Sequence, residues 1–395
     1  MKRIIFHVDV NNAFLSWTAV YLLNNGYERD IREIPCVIAG DEKSRHGIVL
    51  AKSPIAKKYG VVSAETLYSA RKKCPNLEVF SPQYDFYMEM SNKFYNYLKN
   101  YTPVIERASI DECFLDMTNT KYLYDDIMSV AYKIKNEIKE MFGFTVNIGI
   151  ANNMLCAKMA SDFEKPDKVH TLFMEEIKDK MWPLPINDLL FIGKSSSKVL
   201  NEIGIKTIGD LAKTDPMKLK RYFKNRVEDM IASANGIDNS IVNPNHYVNK
   251  CISISRTLKE DTSDEKKLKR ILLDMADSVG LRARKKGLFA SNIAITFKTS
   301  SFKNYSHQEK LVNPTNNTME IYYKILSLYE KIDKNEKIRN IGIRLGDLID
   351  NQKEQVSLFS DIKEENNQLQ KLMDEINSKY NSSIVMPAIF FEDKK

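Results

Sequence analysis

The sequence predicts an α+β protein of several compact units, and three features of its patterning support this. Apolar runs with strand character alternate with amphipathic helical stretches from residue 1 to about residue 170. From about His170 the pattern changes to short helices joined by brief loops. After residues 241–249, rich in Asn, without periodicity and read as a linker, strands and helices alternate again over 250–350. A length of 395 residues suits two to four such units.

Residues 1–12 read as a first strand, with Asp9 near its end and Asn11-Asn12 opening a helix from Ala13 to Leu23. Short strands follow at 35–40 and 47–51, and then the basic stretch 52–60. Arg45, Lys52, Lys57 and Lys58 are candidate phosphate ligands there, or simply a solvated basic face. Phe86, Met90, Phe94, Tyr97 and Leu98 fall at helical intervals within 83–103. Residues 106–117 form a strand closed by the turn signal Thr118-Asn119, Tyr122 to Phe142 a second long helix, 144–150 a strand, and Asn152 to Phe163 a helix. This succession predicts a sheet with helices packed on one face.

Residues 189–205 divide into two helical pieces around Gly193, with Gly204 stopping the second; such a hairpin offers backbone N–H groups to a phosphate, or is an ordinary packing unit. The 250–350 region reads as strand (251–257), helix (266–286), strand (291–299), polar loop, helix (318–329) and strand (337–346). The polar sides of 293–297 and 341–345 are able to face a duplex. The tail offers Gln355 to Asp361, a helix from Glu364 to Tyr380 and an apolar end at 384–391. Leu358-Phe359 there is a plausible anchor for a hydrophobic groove.

Composition narrows the function. A hydrophobic content of 43% argues against disorder, and no signal peptide or membrane-length apolar run of about 18 residues is visible, so a cytoplasmic protein is expected; a monomer is expected as well, though no residue specifies it. Cys36, Cys74, Cys113, Cys156 and Cys251 are scattered and lack CxxC spacing, as expected of reduced thiols; Cys113, beside the acid pair, reads as a packing residue. Residues 250–350 hold 20 Lys plus Arg against 13 Asp plus Glu, the whole of the chain's +7 excess. Localised positive charge points to a polyanion, and nucleic acid is the commonest large one.

Asp111 and Glu112 interrupt an apolar strand. Burying such charges requires a partner, and hard oxygen donors suit Mg²⁺. If that strand pairs with the first, Asp9 joins them, and three carboxylates can hold two Mg²⁺ about 3.5–4 Å apart to clamp the oxygens of a phosphoryl transfer. Neighbouring strand residues point to opposite faces, so joint coordination requires a bulge, a twist or a strand end. The competing reading has Asp9 or Asn11 capping a helix and the acid pair on a solvated edge.

Taken together, these residues resemble the Y-family translesion DNA polymerases, of the bacterial DNA polymerase IV and UmuC kind. The likeness rests on His-Val-Asp-Val at 7–10, Ser-Ile-Asp-Glu at 109–112, the turn Gly149-Ile150-Ala151-Asn152-Asn153 and Lys165-Pro166, in order over roughly 1–350. The resemblance implies a right-hand α+β fold: a ferredoxin-like palm (1–12 and 82–170), small fingers (13–81), a helical thumb with a helix-hairpin-helix (171–240), the linker (241–249), an α+β little finger (250–350) and a tail with a clamp-binding motif (351–395).

It further implies catalysis and metal binding by Asp9, Asp111 and Glu112, with the Val10 carbonyl as an additional ligand, and two Mg²⁺ per site. Phe14 matches an aromatic steric gate that excludes a 2′-OH, and Lys165 a lysine that reaches the triphosphate. In the fingers Pro54 and Lys57 stand where polymerase IV types carry Tyr and Arg, and Lys52 with Lys57 looks nearer the UmuC type. Gly193 and Lys194 resemble the thumb's backbone grip, and Arg256 and Arg344 are candidate DNA contacts. Gln355, Leu358 and Phe359 look like the sliding-clamp motif.

The expected activity is template-directed, low-fidelity extension of a primer 3′-OH by dNTPs, without proofreading, on template-primer DNA. A catalytically inactive, clamp-tethered DNA-binding scaffold of the same fold is the alternative. A nucleotidyl cyclase, which also places two metals on a palm-like sheet, has no use for the hairpin or the basic unit.

Overall fold

Six consecutive buried residues, Ile5–Val10, form β1, the middle strand of a five-stranded sheet. β6 (Glu112–Asp116) lies on one side of it, with β5 (Ile105–Arg107) beyond; β7 (Val146–Ala151) lies on the other, with β8 (Val169–Leu172) beyond. All pairings are antiparallel except β7 with β8. The computed structural model describes residues 3–42, 45, 47–245, 250–331, 336–350, 361–380 and 384–385. The chain divides into two units, Met1–Gly40 with Gly47–His246, and Asp41–His46 with Tyr247–Lys395.

The sheet is covered on both faces, not on one as the sequence pattern predicts. Phe6, Val8 and Val10 join the core formed with α4 (Tyr84–Leu98) and α5 (Ile127–Phe142), whereas Ile5, Phe114 and Ala151 join a second core with α6 (Met154–Ser161). Every residue of β1 and β7 is buried, as expected of strands sandwiched between two layers. Gly149 makes the second layer possible: a Cβ there would lie 2.0 Å from the Ala157 carbonyl oxygen and 2.5 Å from the Ser161 nitrogen. Without that carbon, α6 backs directly onto β7.

Side-chain caps set the helix limits. Asp126 accepts from the N–H groups of Met128 (3.2 Å) and Ser129 (2.9 Å). α5 therefore begins at Ile127, five residues later than the apolar pattern predicts, and it ends at Gly143 with φ 73°. Asn153 caps α6 by accepting from Cys156 N at 2.8 Å.

Between β1 and α4 lies a smaller sheet in which β2 (Cys36–Ala39) pairs with β3 (Val49–Lys52) and β4 (Glu78–Phe80). It packs with α1 (Ala13–Asn24), α2 (Pro54–Lys58) and α3 (Leu67–Lys73).

After β8 the chain forms α7 (Lys194–Glu202), α8 (Ile208–Ala212), α9 (Pro216–Phe223) and α10 (Val227–Ala234) around Leu200, Ile208, Leu211, Leu219 and Met230. Residues 189–193 form no helix; the short 3-10 turn Ile186–Asp188 ends before them. Leu189 is extended and Phe191 has φ 70°, so Gly193 is the N-cap of α7 and the partner across the turn is α8. Gly204, with φ 89°, supplies that turn.

The second unit is a sheet ordered β11–β10–β12–β9: β9 (Cys251–Thr262), β10 (Leu288–Thr299), β11 (Asn304–Thr315) and β12 (Ile338–Asp350). α11 (Glu265–Arg284) and α12 (Thr318–Tyr329) cover one face and share one core with it. The segment expected to be a polar loop after residue 299 is the edge strand β11. It is largely solvated, so its backbone pairs with β10 without the apolar alternation that marks a half-buried strand. α13 (Asp361–Lys379) follows, with Asp374 paired to Arg284 at 2.5 Å. Gln355, Leu358 and Phe359 lie outside the described residues.

Candidate active site

The register of β1 against β6 sets Asp9 directly opposite Glu112, so the two side chains share a face. That face is the one covered by α6. Asp111 precedes the strand in the bend after β5, and its carbonyl oxygen accepts from Val10 N at 3.0 Å. Asp111 thus lies at the strand end, outside the alternation of β6. Ser109 Oγ donates to Asp111 Oδ1 at 2.6 Å and fixes that carboxylate beside the bend.

Each strand acid is held by a lysine from the α6 region. Lys165 Nζ donates to Asp9 Oδ2, and Lys158 Nζ donates to Glu112 Oε1 at 2.6 Å. Asp162 stands near both ammonium groups, 3.6 Å from Lys158 and 2.7 Å from Lys165. His7, fully buried and two residues before Asp9, lies with Nδ1 2.8 Å from Ser161 Oγ and Nε2 3.5 Å from Glu112 Oε2.

These surroundings push the two carboxyls apart. Burial raises Asp9 to about 6 against the pull of Lys165 and Lys158, and the charge of Glu112 adds to the rise. Burial also acts on Glu112, but His7 beside it and the hydrogen bond from Lys158 outweigh it and hold that carboxyl well below the usual range. Burial lowers His7, which stays neutral beside Glu112. An acid that remains costly to ionise even with a lysine against it is a place where added positive charge is favourable.

The donor set fits a hard divalent cation. Carboxylates and a main-chain carbonyl are oxygen ligands, and Mg²⁺ usually takes one or two carboxylates with the rest from waters and substrate phosphates. Among the described residues no three acidic, His or Cys side chains are grouped so that they could hold a metal ion. The two lysines hold the acids instead.

Other expected site residues are distributed around this centre. Phe14, half-buried on α1, stacks on Tyr87 with ring centroids 4.9 Å apart and planes 13° from parallel. Lys52 ends β3, where its carbonyl accepts from Asn12 Nδ2 at 2.8 Å and its Nζ reaches Ser63 Oγ at 3.2 Å. Lys57 is exposed on α2, and Gly193 and Lys194 open α7 at an exposed helix N-terminus. In the second unit Arg344 projects from the open face of the sheet and reaches Gln308 Oε1 at 2.9 Å. Arg256 alternates to the helix-covered side, where it pairs with Asp274 of α11 at 2.8 Å. Strand parity therefore separates it from Arg344.

Sequence reasoning missed His7, Lys158 and Asp162 as parts of the site. The period-two rule already put His7 on the face of Asp9. Lys158 had only its helical position to mark it, and Asp162 gave no signal.

The chain matches the impB/mucB/samB family over residues 8–162 and that family's C-terminal domain over 249–358. It is 46% identical to a DNA polymerase IV of Clostridium acetobutylicum across the whole of both chains. It is 32% identical to DNA polymerase IV 1 of Bacillus subtilis across 97% of this chain and 92% of that one. Its fold is similar to a solved Y-family DNA polymerase chimera, with a TM-score of 0.77 over 88% of this chain and 100% of the other, at 24% identity.

Proposed function

The chain belongs to the Y-family of translesion DNA polymerases, and from that premise we propose that Asp9, the Val10 carbonyl, Asp111 and Glu112 hold two Mg²⁺ for nucleotidyl transfer to a primer 3′-OH. The observation that carries this reading is the register of Asp9 opposite Glu112 at the strand end, with Asp111 tied to Val10. Bound there, Mg²⁺ would make the 3′-OH a better nucleophile and neutralise charge developing on the triphosphate. Ser109 orients Asp111, and His7 with Lys158 orients Glu112, so the oxygens are fixed before substrate arrives. Lys165 exchanges Asp9 for the triphosphate of the incoming dNTP, and Phe14 closes the space that a 2′-OH requires.

The full-length relatives carry the name DNA polymerase IV, which favours that type over the UmuC type suggested by the fingers. The substrates are template-primer DNA and dNTPs, with the second unit binding DNA through its basic surface. Synthesis is low in fidelity and without proofreading, and Gln355, Leu358 and Phe359 supply a tether to the sliding clamp of a monomeric, cytoplasmic enzyme. No helix among the described residues is long and apolar enough to cross a membrane. Nothing in the site or the comparisons favours the inactive scaffold. Primer extension by Asp111→Ala decides: abolished extension with DNA binding intact is expected, and persistent extension overturns the assignment.

A further inference from the structure

The loop that delivers Lys165 to Asp9 is held by a buried pair of amides. Asn147, fully buried on β7, donates from Nδ2 to the carbonyl oxygens of Ser161 (3.0 Å) and Glu164 (2.6 Å). Its Oδ1 accepts from Asn11 Nδ2 (3.0 Å) and from Lys168 N (3.2 Å). Both N–H groups and both lone pairs of this one amide are in use. Asn11, 7% exposed just after β1, accepts at Oδ1 from Asp167 N and from Thr145 Oγ1, each at 2.9 Å. Ser161, Glu164, Asp167 and Lys168 are thereby fixed on both sides of Lys165.

We infer that Asn11 and Asn147 are positioning residues for Lys165, setting the ammonium group at the point where it meets Asp9 and the dNTP triphosphate. The chemistry of the pair is specific. A serine at 147 has one donor and a shorter reach, so it serves one carbonyl at most, and an aspartate has no donor for either. Asp167 adds a second brace, pairing with Lys135 (2.8 Å) and Lys139 (3.0 Å) on α5, but it leaves the Ser161 and Glu164 carbonyls untouched. The amide pair grips the loop on both sides of Lys165, from Asn11 just after β1 and from Asn147 on β7.

This inference rests on the triphosphate role proposed for Lys165, and a double-mutant cycle separates the two. Equilibrium dNTP binding is measured on the full chain with template and a dideoxy-terminated primer, alongside steady-state extension and thermal unfolding. Asn147→Ser is expected to weaken dNTP binding about tenfold or more, leaving kcat at saturating dNTP within a small factor. In a Lys165→Ala background it is expected to add nothing further. The same loss in both backgrounds, or a lower kcat with unchanged dNTP binding, marks a structural role and overturns the inference. Normal binding by Asn147→Ser in the presence of a weakened Lys165→Ala overturns it alone. Normal binding by Lys165→Ala overturns the triphosphate role as well. Asn11→Ala, which spares both carbonyl bonds of Asn147, repeats the cycle if Asn147→Ser does not fold.

Discussion

Strand β1 is buried along its whole length, whereas the open face of the second unit's sheet is built of residues that are small or polar, in register: Ser255, Gly342 and Thr296 in one row, Ser253, Arg344, Ala294 and Gln308 in the next. A Cβ on Gly342 would meet Thr296 Oγ1 at 2.6 Å, so this face is flat and closely set. Both sheets obey the same two-residue alternation. The first puts Asp9 and Glu112 under α6, where each has its own lysine; the second leaves its charges in water, where pairs contribute little and partners are interchangeable. On the proposed function, charge in the first sheet serves chemistry at fixed points, and charge in the second serves affinity summed over many contacts.

The sharpest way to break this contrast is to remove one acid from the first sheet. Asp9→Ala, Asp111→Ala or Glu112→Ala is expected to lower primer extension on the order of a thousandfold or more, with template-primer binding nearly unchanged. Binding and extension that fall together would mean that the first sheet, too, acts mainly through affinity. Phe14→Ala is expected to have a smaller and selective effect, raising rNTP incorporation relative to dNTP by about a hundredfold while dNTP extension stays within a few fold. The ratio of kcat/KM values for matched rNTP and dNTP measures it. An unchanged ratio would leave Phe14 as a packing partner of Tyr87.

For the open sheet the expected response is graded. Binding to duplex should fall steeply with salt, and Arg344→Ala should reduce the slope of log K against log salt by about one. Arg256→Ala should leave the slope as it was, because that side chain lies on the helix face against Asp274. Equal effects of the two substitutions would show that strand parity does not decide which arginine meets DNA.

Much of this was legible in the residues, and the exceptions share a cause. The acid pair, the upstream Asp9 and the strands that carry them follow from apolar runs interrupted by charge, and the pairing of β1 with β6 sets Asp9 opposite Glu112. Signals that need an apolar face failed where such a face is thin: β11 is largely solvated, lacks a clear apolar alternation and reads as a polar loop. The second layer on the first sheet was hidden in Gly149, whose missing Cβ admits α6 but leaves no mark in hydropathy. Lys158 and the pairing of Lys165 with Asp9 were hidden because an ion pair between distant positions has no local pattern. Arg256 and Arg344 differ only in parity, which a one-residue uncertainty in strand pairing erases.

The smallest expected effect concerns the thiol beside the acids. Cys113 is buried, and burial pushes its thiol up to about 12, with Arg107 opposing. Cys36 and Cys156 are buried and raised to about 12 in the same way, while Cys251 is exposed at the start of β9. A thiol reacts as its thiolate, so near pH 8 a mild alkylating reagent should label Cys251 in the native protein and spare Cys36, Cys113 and Cys156. Mass mapping after brief treatment checks this, and extension activity should be retained. Rapid labelling of Cys113 with loss of activity would place a water-accessible, reactive group inside the layer that holds the acids, and the distinction drawn between a sequestered and a solvated sheet would no longer hold.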